Sequence, residues 1–407
     1  MKLLKLTAYY PPENIPGAIM QKELETAFTE SGIDTKIITP YPTRGCDEET
    51  YQKYRGTEVL HDGHVEIYRF PLQRESKRTL SRAWRYLCGH IKQYRCAAKE
   101  KDVDLVMAGT TPPTQILLAR KVAKKLKKPY VLRIQDIFPE SMVTAGMTKE
   151  GSLIYKIGNS MMKKAYADAD KIMVIGEEMK ETLLKKGVPE DKIEIVRNWI
   201  DVSEISHVTR EDNSLMKELG LDDKKFYVVY AGNLGKAQDV ITLVRAAQKL
   251  ESYTDIRFVI FGEGVEKENI DNYIAETGMT NISLYPLQSK ERVSEVYSIA
   301  DVSAILCKKG AGKAAVPSKT WSILGTATPI IACFDEGELT GMINRVNCGY
   351  TVLPEDEESL KETILKAYAN KKDLCKLGEN GRKYVAENLS SELCLKQYVS
   401  VIKDTQK

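Results

Sequence analysis

The stretch that decides the fold is residues 310–332, with the sequence GAGKAAVPSKTWSILGTATPIIA. It combines a glycine-bearing loop, a helix that begins near Pro317, and a short buried strand. Proline is favoured at the first position of a helix, where its missing N–H is not needed. The free backbone N–H groups of a helix start attract anions, and Lys319 would reinforce them. We therefore expect a loop–helix–strand unit of an α/β fold that binds an anionic group.

Short apolar runs alternate with helical patterns along most of the chain, and this spacing predicts parallel βαβ units in a doubly wound sheet. The first series of predicted strands covers residues 3–8, 35–39, 65–70, 105–108, 130–134, 172–175 and 193–196. A second series follows the polar stretch 201–225 and covers residues 226–231, 257–261, 282–285, 302–306, 328–332 and 350–353.

Two series of strands in 407 residues indicate two domains. We predict a Rossmann-like domain over residues 1–200, a second over residues 201–390, and a C-terminal helix over residues 391–407 that packs on the first domain. Parallel sheets present ligands at the carboxyl ends of their strands. The expected architecture is therefore an α/β fold in which two doubly wound domains face a cleft.

Composition excludes several classes of protein. Lys and Arg number 60 against 57 Asp and Glu, so the chain lacks the strong positive charge of a nucleic-acid binder. The eight cysteines are scattered without a C-x-x-C pair, which argues against structural zinc and for a reducing compartment. No apolar run approaches the roughly 18 residues of a spanning helix. We expect a cytoplasmic protein without structural zinc.

Two loops of the first domain carry candidate acceptor-binding groups. The first follows strand one and contains Glu13 and Gly17; the alternative is a merely rigid connection. The second contains Arg133, Asp136 and Glu140 at the end of an apolar strand. Carboxylates at a strand's carboxyl end can accept a proton from a ligand hydroxyl. The alternative is a helix cap and a surface ion pair with Arg133.

The second domain opens with a strand, a glycine loop and a helix. Gly232, Asn233, Lys236 and Gln238 lie in this loop, which could hold phosphate through its backbone N–H groups. Gly262 follows the next strand. Neither segment matches G-x-x-x-x-G-K-[ST] or G-x-G-x-x-G, so a P-loop or dinucleotide enzyme is disfavoured.

A basic segment at residues 74–101 carries apolar side chains at helical spacing. Nine Lys and Arg residues stand there against two Glu. This pattern is typical of a helix on an anionic membrane, with Arg78, Arg82, Trp84 and Arg85 as predicted contacts. The equally weighted alternative is a helix docked on its own domain.

Several motifs, in this order, make the chain resemble the retaining GT-B glycosyltransferases of family 4, in the branch that builds bacterial surface polysaccharides. They are Tyr10-Pro11-Pro12-Glu13, Asp136-Ile137-Phe138-Pro139-Glu140-Ser141, Ala167-Asp168-Ala169-Asp170-Lys171-Ile172, Val196-Arg197-Asn198-Trp199-Ile200-Asp201, Tyr230-Ala231-Gly232-Asn233-Leu234-Gly235, and Val316-Pro317-Ser318-Lys319 through Pro329-Ile330-Ile331-Ala332. The resemblance covers nearly the whole chain.

This resemblance implies the transfer of a sugar from a nucleotide-diphosphate donor, with no cofactor and no metal. A UDP-sugar is the favoured donor, and its sugar could be of the N-acetylhexosamine type. The donor would bind the second domain through Pro317, Ser318, Lys319 and Ser322, besides the loop residues already named. The acceptor, lipid-linked or a saccharide, would bind the first domain. Asp136 and Lys319 are the expected catalytic residues, and the enzyme could lie at the inner face of the plasma membrane.

The chain also departs from the family pattern. Ala314 and Ser322 stand where family 4 often has two glutamates, and Asn233 and Gln238 replace an Arg and a Lys. Lys236 and Lys319 must then supply the positive charge. Two other functions remain open: a nucleotide-sugar 2-epimerase or hydrolase of the same fold, and a non-catalytic subunit that binds nucleotide-sugars.

Overall fold

The computed structural model describes residues 1–13, 17–76, 79–144, 146–312 and 316–406. It divides the chain into two compact units. The first unit consists of residues Met1–Arg197 and the C-terminal residues from Cys394, and the second unit is Asn198–Leu393. The chain therefore returns to its first unit at the end.

The first unit contains an eight-stranded sheet in the order β3-β4-β2-β1-β5-β6-β7-β8. All neighbouring strands are parallel except β3 and β4. The strands are β1 (Lys2–Leu6), β2 (Asp34–Pro40), β3 (Thr57–Leu60), β4 (Val65–Phe70), β5 (Leu105–Gly109), β6 (Tyr130–Ile134), β7 (Lys171–Val174) and β8 (Ile193–Ile195). The central strands are almost completely buried, as expected for a sheet covered on both faces.

The α-helices among the described residues of this unit are α1 (Ala18–Glu30), α2 (Glu48–Lys53), α3 (Thr79–Ala97), α4 (Gln115–Leu126), α5 (Glu140–Thr144), α6 (Leu153–Asp168) and α7 (Glu177–Lys185). The inner face of α4 illustrates their packing. Ile116, Ala119, Val122 and Ala123 are buried against the sheet, whereas the lysines of its last turn face outward. The helix ends at Lys127, which adopts a left-handed conformation.

The second unit contains a six-stranded parallel sheet in the order β11-β10-β9-β12-β13-β14. Its strands are β9 (Phe226–Asn233), β10 (Ile256–Glu263), β11 (Ile282–Tyr285), β12 (Val302–Leu306), β13 (Ile330–Cys333) and β14 (Gly349–Val352). Its helices are α8 (Ser214–Glu218), α9 (Val240–Lys249), α10 (Lys267–Thr277), α11 (Val293–Ser298), α12 (Lys319–Gly325), α13 (Glu338–Val346), α14 (Glu357–Ala369) and α15 (Lys371–Asn388). The last helix of the chain is α16 (Ser391–Gln406).

The strand order reverses once in each sheet. In the first unit the chain runs outward from β1 and later restarts at β5 on the other side of β1. In the second unit it restarts at β12 beside β9. Such reversals open a crevice at the carboxyl ends of the strands, which is where open α/β sheets bind ligands.

The predicted α/β class and every predicted strand are confirmed, with end points that differ by at most two residues. The strand β3 is not among the predicted strands. This antiparallel edge strand is short and mostly exposed, so it has no buried face to produce an apolar signal. None of the described helices is both long and apolar enough to cross a bilayer.

Candidate functional site

The second unit holds a pocket of about 370 Å³ at the carboxyl ends of its strands. This volume is within the range of small-molecule sites. Four segments line it: the end of β9 with the following loop, the end of β10, the region from β11 to α11, and the start of α12. The lining residues are Tyr230, Ala231, Gly232, Asn233, Gln238, Phe261, Leu287, Gln288, Ser289, Val293, Val296, Tyr297, Pro317, Ser318 and Lys319.

Lys319 supplies the positive charge of the pocket. Its Nζ donates to the carbonyl oxygen of Ala231 over 3.3 Å and lies 3.8 Å from the centre of the Tyr230 ring. The residue as a whole keeps some exposed surface, but its ammonium end is enclosed by these groups. Burial lowers the pKa of Lys319 to about 7, and no acidic group among the described residues offsets this effect. The pocket thus contains a cation that lacks an anionic partner within the described chain.

Gly232 makes room for this ammonium group. Its φ of +146° favours glycine, and a Cβ atom there would lie 3.2 Å from Lys319 Nζ. Gly262 has a different role, because a Cβ atom on it would lie 2.6 Å from Leu234 Cγ and 2.8 Å from the carbonyl oxygen of Gly232. It is buried and allows β10 to pack closely against the end of β9, so it supports the pocket without lining it.

The loop after β9 carries three more predicted donor contacts, and they differ in whether they line the pocket. Asn233 Nδ2 donates to Gln238 Oε1 over 3.1 Å, and both residues line the pocket. Lys236 is exposed and is not among the described residues that line it. Lys319 is therefore better placed than Lys236 to supply the positive charge that was predicted for both lysines.

The segment before α12 contributes Pro317 and Ser318 to the pocket, whereas Ser322, one turn into the helix, is not among the described lining residues. Ala314, the other position at which the sequence departs from the family pattern, lies outside the described residues. The helix has only seven residues. The charge of this segment consequently resides in the Lys319 side chain more than in a long helix dipole.

Asp335 positions the loop that leads into this segment. Its carboxylate accepts hydrogen bonds from Gly310 N over 3.0 Å and from Gly312 N over 2.8 Å. Asp335 is 8% exposed and follows β13. This role is not predictable from the sequence, because an Asp just after a strand has no signature that connects it with a loop more than 20 residues earlier.

An apolar wall of the pocket was also missed. Phe261 stacks on Tyr285 with ring centres 5.6 Å apart, and Val293, Val296 and Tyr297 come from α11. These side chains belong to ordinary strand and helix patterns. Only their position beside the end of β9 makes them part of a site, and spacing along the chain does not reveal that position.

In the first unit, Asp136 lies in an exposed turn after β6. The backbone N–H groups of Gln135 and Asp136 donate to Thr110 Oγ1, over 3.1 and 3.4 Å, which ties this turn to the end of β5. Neighbouring atoms partly bury the carboxyl group and raise the pKa of Asp136, although the residue retains an exposed surface. This environment suits a proton acceptor.

Arg133 and Glu140 point to partners within the first unit. Arg133 Nε donates to Tyr398 Oη over 3.0 Å, in α16. Glu140 Oε1 lies 2.6 Å from Lys186 Nζ and accepts a hydrogen bond of the same length from Tyr155 Oη. Glu140 therefore forms an ion pair with Lys186 of the same unit.

Glu13 is buried, and its carboxylate organises the backbone. Oε1 accepts from Thr43 N and Arg44 N, over 2.8 and 3.1 Å, and Oε2 accepts from Tyr10 N over 3.1 Å. Burial raises the pKa of Glu13, while these hydrogen bonds act in the opposite direction. Gly17 precedes α1 with φ of +79°, and the space around it is open. The observed geometry of Glu13 favours the rigid-connection alternative.

The predicted membrane contacts on α3 require a correction. Arg85 is only 2% exposed, and its guanidinium donates to Gln73 O and Thr43 Oγ1. It cannot contact lipid, because its position in the helical repeat faces the domain. Trp84 is 60% exposed and Arg82 pairs with Glu75 at 3.2 Å. Arg78 lies outside the described residues.

Within the described part of the chain, no group of three or more His, Cys, Asp or Glu side chains is arranged to hold a metal ion.

Two family models match consecutive parts of the chain. The model described as Glycosyltransferase Family 4 matches residues 19–204, and the model described as Glycosyl transferases group 1 matches residues 211–384. The chain belongs to glycosyltransferase family 4. The pocket described above lies entirely in the part matched by the group 1 model.

This glycosyltransferase is similar to two curated bacterial proteins. The putative colanic acid biosynthesis glycosyl transferase WcaI of Escherichia coli strain K12 is 24% identical, and the match covers 99% of this chain and all of WcaI. The probable glycosyltransferase WbjE of Pseudomonas aeruginosa is also 24% identical, over 83% of this chain and 84% of WbjE.

Among solved structures, the glycosyltransferase resembles Anabaena Alr3699/HepE in complex with UDP. The TM-score is 0.75 at 12% sequence identity, and the match covers 99% of this chain and the whole of HepE. The likeness supports the GT-B fold, with two doubly wound α/β domains.

Proposed function

We propose that this glycosyltransferase transfers a sugar, with retention of anomeric configuration, from a UDP-activated donor to a lipid-linked or saccharide acceptor in cell-surface polysaccharide synthesis. The observation that carries the proposal is the enclosed Lys319 ammonium group, which faces a pocket without an acidic partner among the described residues. A donor diphosphate would supply that partner.

The diphosphate is also the leaving group of the reaction. Negative charge develops on it as the bond to the sugar breaks, so a fixed cation at this position stabilises the transition state more than the ground state. Gly232 allows the ligand and Lys319 to approach the same backbone. Asn233 and Gln238 offer neutral hydrogen-bonding groups beside it.

A nucleobase suits the apolar part of the pocket. Phe261, Leu287, Val293 and Tyr297 present apolar surface at its lining, and flat rings bury well against such side chains. The HepE structure holds UDP. The name of WcaI refers to colanic acid biosynthesis, which supports a role in surface polysaccharide synthesis. A hexose or N-acetylhexosamine is the sugar we propose.

The acceptor hydroxyl needs a proton acceptor as it attacks the sugar. Asp136 is the proposed group on the protein, since it lies at the carboxyl edge of the first sheet and its pKa is raised. The departing phosphate of the donor is the other proton acceptor available to the reaction.

The test is donor binding by the full chain, measured by calorimetry and by thermal shift with UDP-, GDP- and ADP-sugars. A UDP-sugar should raise the melting temperature most, because a ligand of the native state stabilises it by mass action. Lys319→Met keeps the packing of the chain on Tyr230 and removes the charge. It should weaken UDP-sugar binding by roughly 10- to 100-fold.

Lys224→Met, which changes an exposed lysine of the same unit, is the matched control and should bind normally. Lys236→Met tests the sequence prediction that Lys236 also binds the donor. Equal affinity of Lys319→Met and the unchanged protein would remove Lys319 from the site. Conversion of the donor without any acceptor would favour an epimerase or hydrolase instead.

A further inference from the structure

The outer side of α6 exposes a stripe of large apolar side chains. Leu153 is 73% exposed, Ile154 59%, Ile157 52% and Met161 47%. At 3.6 residues per turn these four side chains occupy a sector about 100° wide. The inner side of the helix, with Met162 and Ala165, is buried in the domain. The helix therefore has a second apolar face that no described part of the chain covers.

Basic side chains flank this stripe. Lys156, Lys163 and Lys164 are exposed on the same helix. The one acidic residue within α6, Asp168, already pairs with Arg120 and Lys124 of α4 at 2.7 and 2.8 Å. The surface beside the apolar stripe is therefore positively charged.

A second exposed apolar stripe lies on α3, with Trp84 at 60%, Leu87 at 53% and Ile91 at 46%. Helix α4 packs against both α3 and α6. The three helices follow right-handed crossovers in the same direction along the sheet, so they cover the same face of it. This outer layer consequently has an apolar stripe on each side of α4, whose exposed side chains include Lys121 and Lys125.

We propose that α6, together with the outer stripe of α3, is a docking surface for an anionic lipid bilayer. Apolar side chains at the edge of a helix insert into the boundary between headgroups and acyl chains, while neighbouring lysines extend to the lipid phosphates. Charge complementarity selects this partner, because the flanks of both stripes are basic and the cytoplasmic leaflet is negatively charged.

The position of α6 suggests how bilayer binding could serve the transfer reaction. The segment that carries Asp136 leaves the carboxyl end of β6 and leads into α6, so the first turn of α6 lies near that edge of the sheet. A lipid-linked acceptor could then remain in the bilayer while its sugar end reaches Asp136. Only this last step rests on the proposed function; bilayer binding itself does not.

The experiment is cosedimentation of the full chain with vesicles of phosphatidylglycerol and phosphatidylcholine in equal parts, compared with phosphatidylcholine alone. Leu153→Ser/Ile157→Ser should weaken binding to the anionic vesicles by at least about tenfold. The matched control is Val265→Ser/Leu353→Ser, two side chains of the second unit with similar exposure, and it should bind normally. All four side chains are exposed, so the variants should fold.

A charge pair tests the electrostatic part. Lys156→Glu/Lys163→Glu should weaken binding about tenfold or more, whereas Lys372→Glu/Lys376→Glu on α15 should not. Raising the salt concentration should weaken binding without abolishing it, because the apolar contribution is not screened.

Trp84 reports on α3. Of the three tryptophans, Trp199 and Trp321 are 7% and 8% exposed, so brominated lipids should quench mainly Trp84, and Trp84→Phe should remove that quenching.

Normal vesicle binding by Leu153→Ser/Ile157→Ser would overturn the proposal, as would failure of the unchanged protein to bind anionic vesicles at low salt. Self-association in sedimentation velocity that the same pair abolishes, without vesicle binding, would assign the face to a second copy of the chain and also refute the bilayer. UDP-sugar binding is measured on the same preparations. If the unchanged protein binds vesicles but no UDP-sugar, the proposed function is refuted, whereas the docking surface is still supported.

Discussion

At the scale of single residues, donor recognition depends on the protonation of Lys319. Its pKa is about 7 in the free protein, because the ammonium group is buried without a carboxylate beside it among the described residues. A bound diphosphate favours the charged form and must raise this pKa. Binding therefore takes up a proton whenever the free lysine is neutral.

This coupling predicts the pH dependence of donor affinity. Below pH 7 Lys319 is charged with and without the donor, so affinity should be constant with respect to this group. As pH rises above 7 the free lysine loses its proton, and the dissociation constant should rise by up to about tenfold per pH unit until the pKa of the bound lysine is reached. Calorimetry in buffers of different ionisation enthalpy measures both the affinity and the proton uptake.

Lys319→Met provides the reference for this measurement, since it should show no such dependence between pH 6 and pH 9. A parallel pH dependence of donor affinity in the two proteins would place the titrating group elsewhere.

The stability of the free protein should change with pH in the opposite direction to donor affinity. The unfolded chain has the ordinary, higher pKa, so it binds more protons above pH 7, and the contribution of Lys319 to stability rises with pH.

The sequence could identify Lys319 but not its state. Pro317 and the following strand mark the helix start, whereas the lowered pKa comes from burial. The groups that surround the ammonium end, Tyr230 and Ala231, lie nearly 90 residues earlier in the chain. Glu13 and Arg85 illustrate the same limit. Their sequence patterns predict contacts with an acceptor and with a membrane, whereas in the structure the side chains of both residues form hydrogen bonds with neighbouring loops. A local pattern reports a side chain's chemistry but not the distant groups that satisfy it.

At the scale of secondary-structure elements, α15 packs closely against the end of α12. A Cβ atom on Gly378 of α15 would lie 1.8 Å from the carbonyl oxygen of Ala327, just after α12. Gly378→Ala should therefore push the two helices apart and destabilise the second unit by at least about 2 kcal/mol. Because α12 carries Lys319, UDP-sugar affinity should fall as well. Urea unfolding and calorimetry measure the two effects.

Gly341→Ala is the control for this substitution. Gly341 also lies inside a helix of the second unit, α13, but no other atom lies within 4 Å of the position of its Cβ. Alanine should be neutral there or stabilise the unit by up to about 1 kcal/mol, because it restricts the unfolded chain. Equal stability of the two variants would show that the contact between α15 and Ala327 is not tight.

The strands were predictable because they are buried in parallel sheets and read as continuous apolar runs. The strand β9, with its run from Phe226 to Ala231, is an example. The apolar wall formed by α11 was not predictable as part of a site. Its contribution depends on the order of strands in the sheet, and spacing along the chain does not specify which strand lies beside β9.

At the scale of the whole molecule, the chain enters its first unit twice. Residues from Cys394 onward belong to that unit, although the second unit separates them from Arg197. Cys394, Tyr398 and Ile402 of α16 are buried, and Tyr398 Oη accepts a hydrogen bond from Arg133 Nε at the end of β6. Helix α16 is therefore part of the packing of the first unit.

This arrangement predicts a selective effect of Tyr398→Ala. Removing a completely buried aromatic side chain should destabilise the first unit by about 3–5 kcal/mol, and it also takes away a partner of Arg133. Hydrogen exchange should show lost protection in β5, β6 and β7, while UDP-sugar affinity, a property of the second unit, stays within about twofold. Tyr398→Phe keeps the ring and should lower the free energy of unfolding by only about 1 kcal/mol.

Unchanged protection in these strands would show that α16 is not needed for the first unit. A parallel loss of donor binding would instead show that the two units do not fold independently, because Tyr398 belongs to the first unit and every residue that lines the pocket belongs to the second.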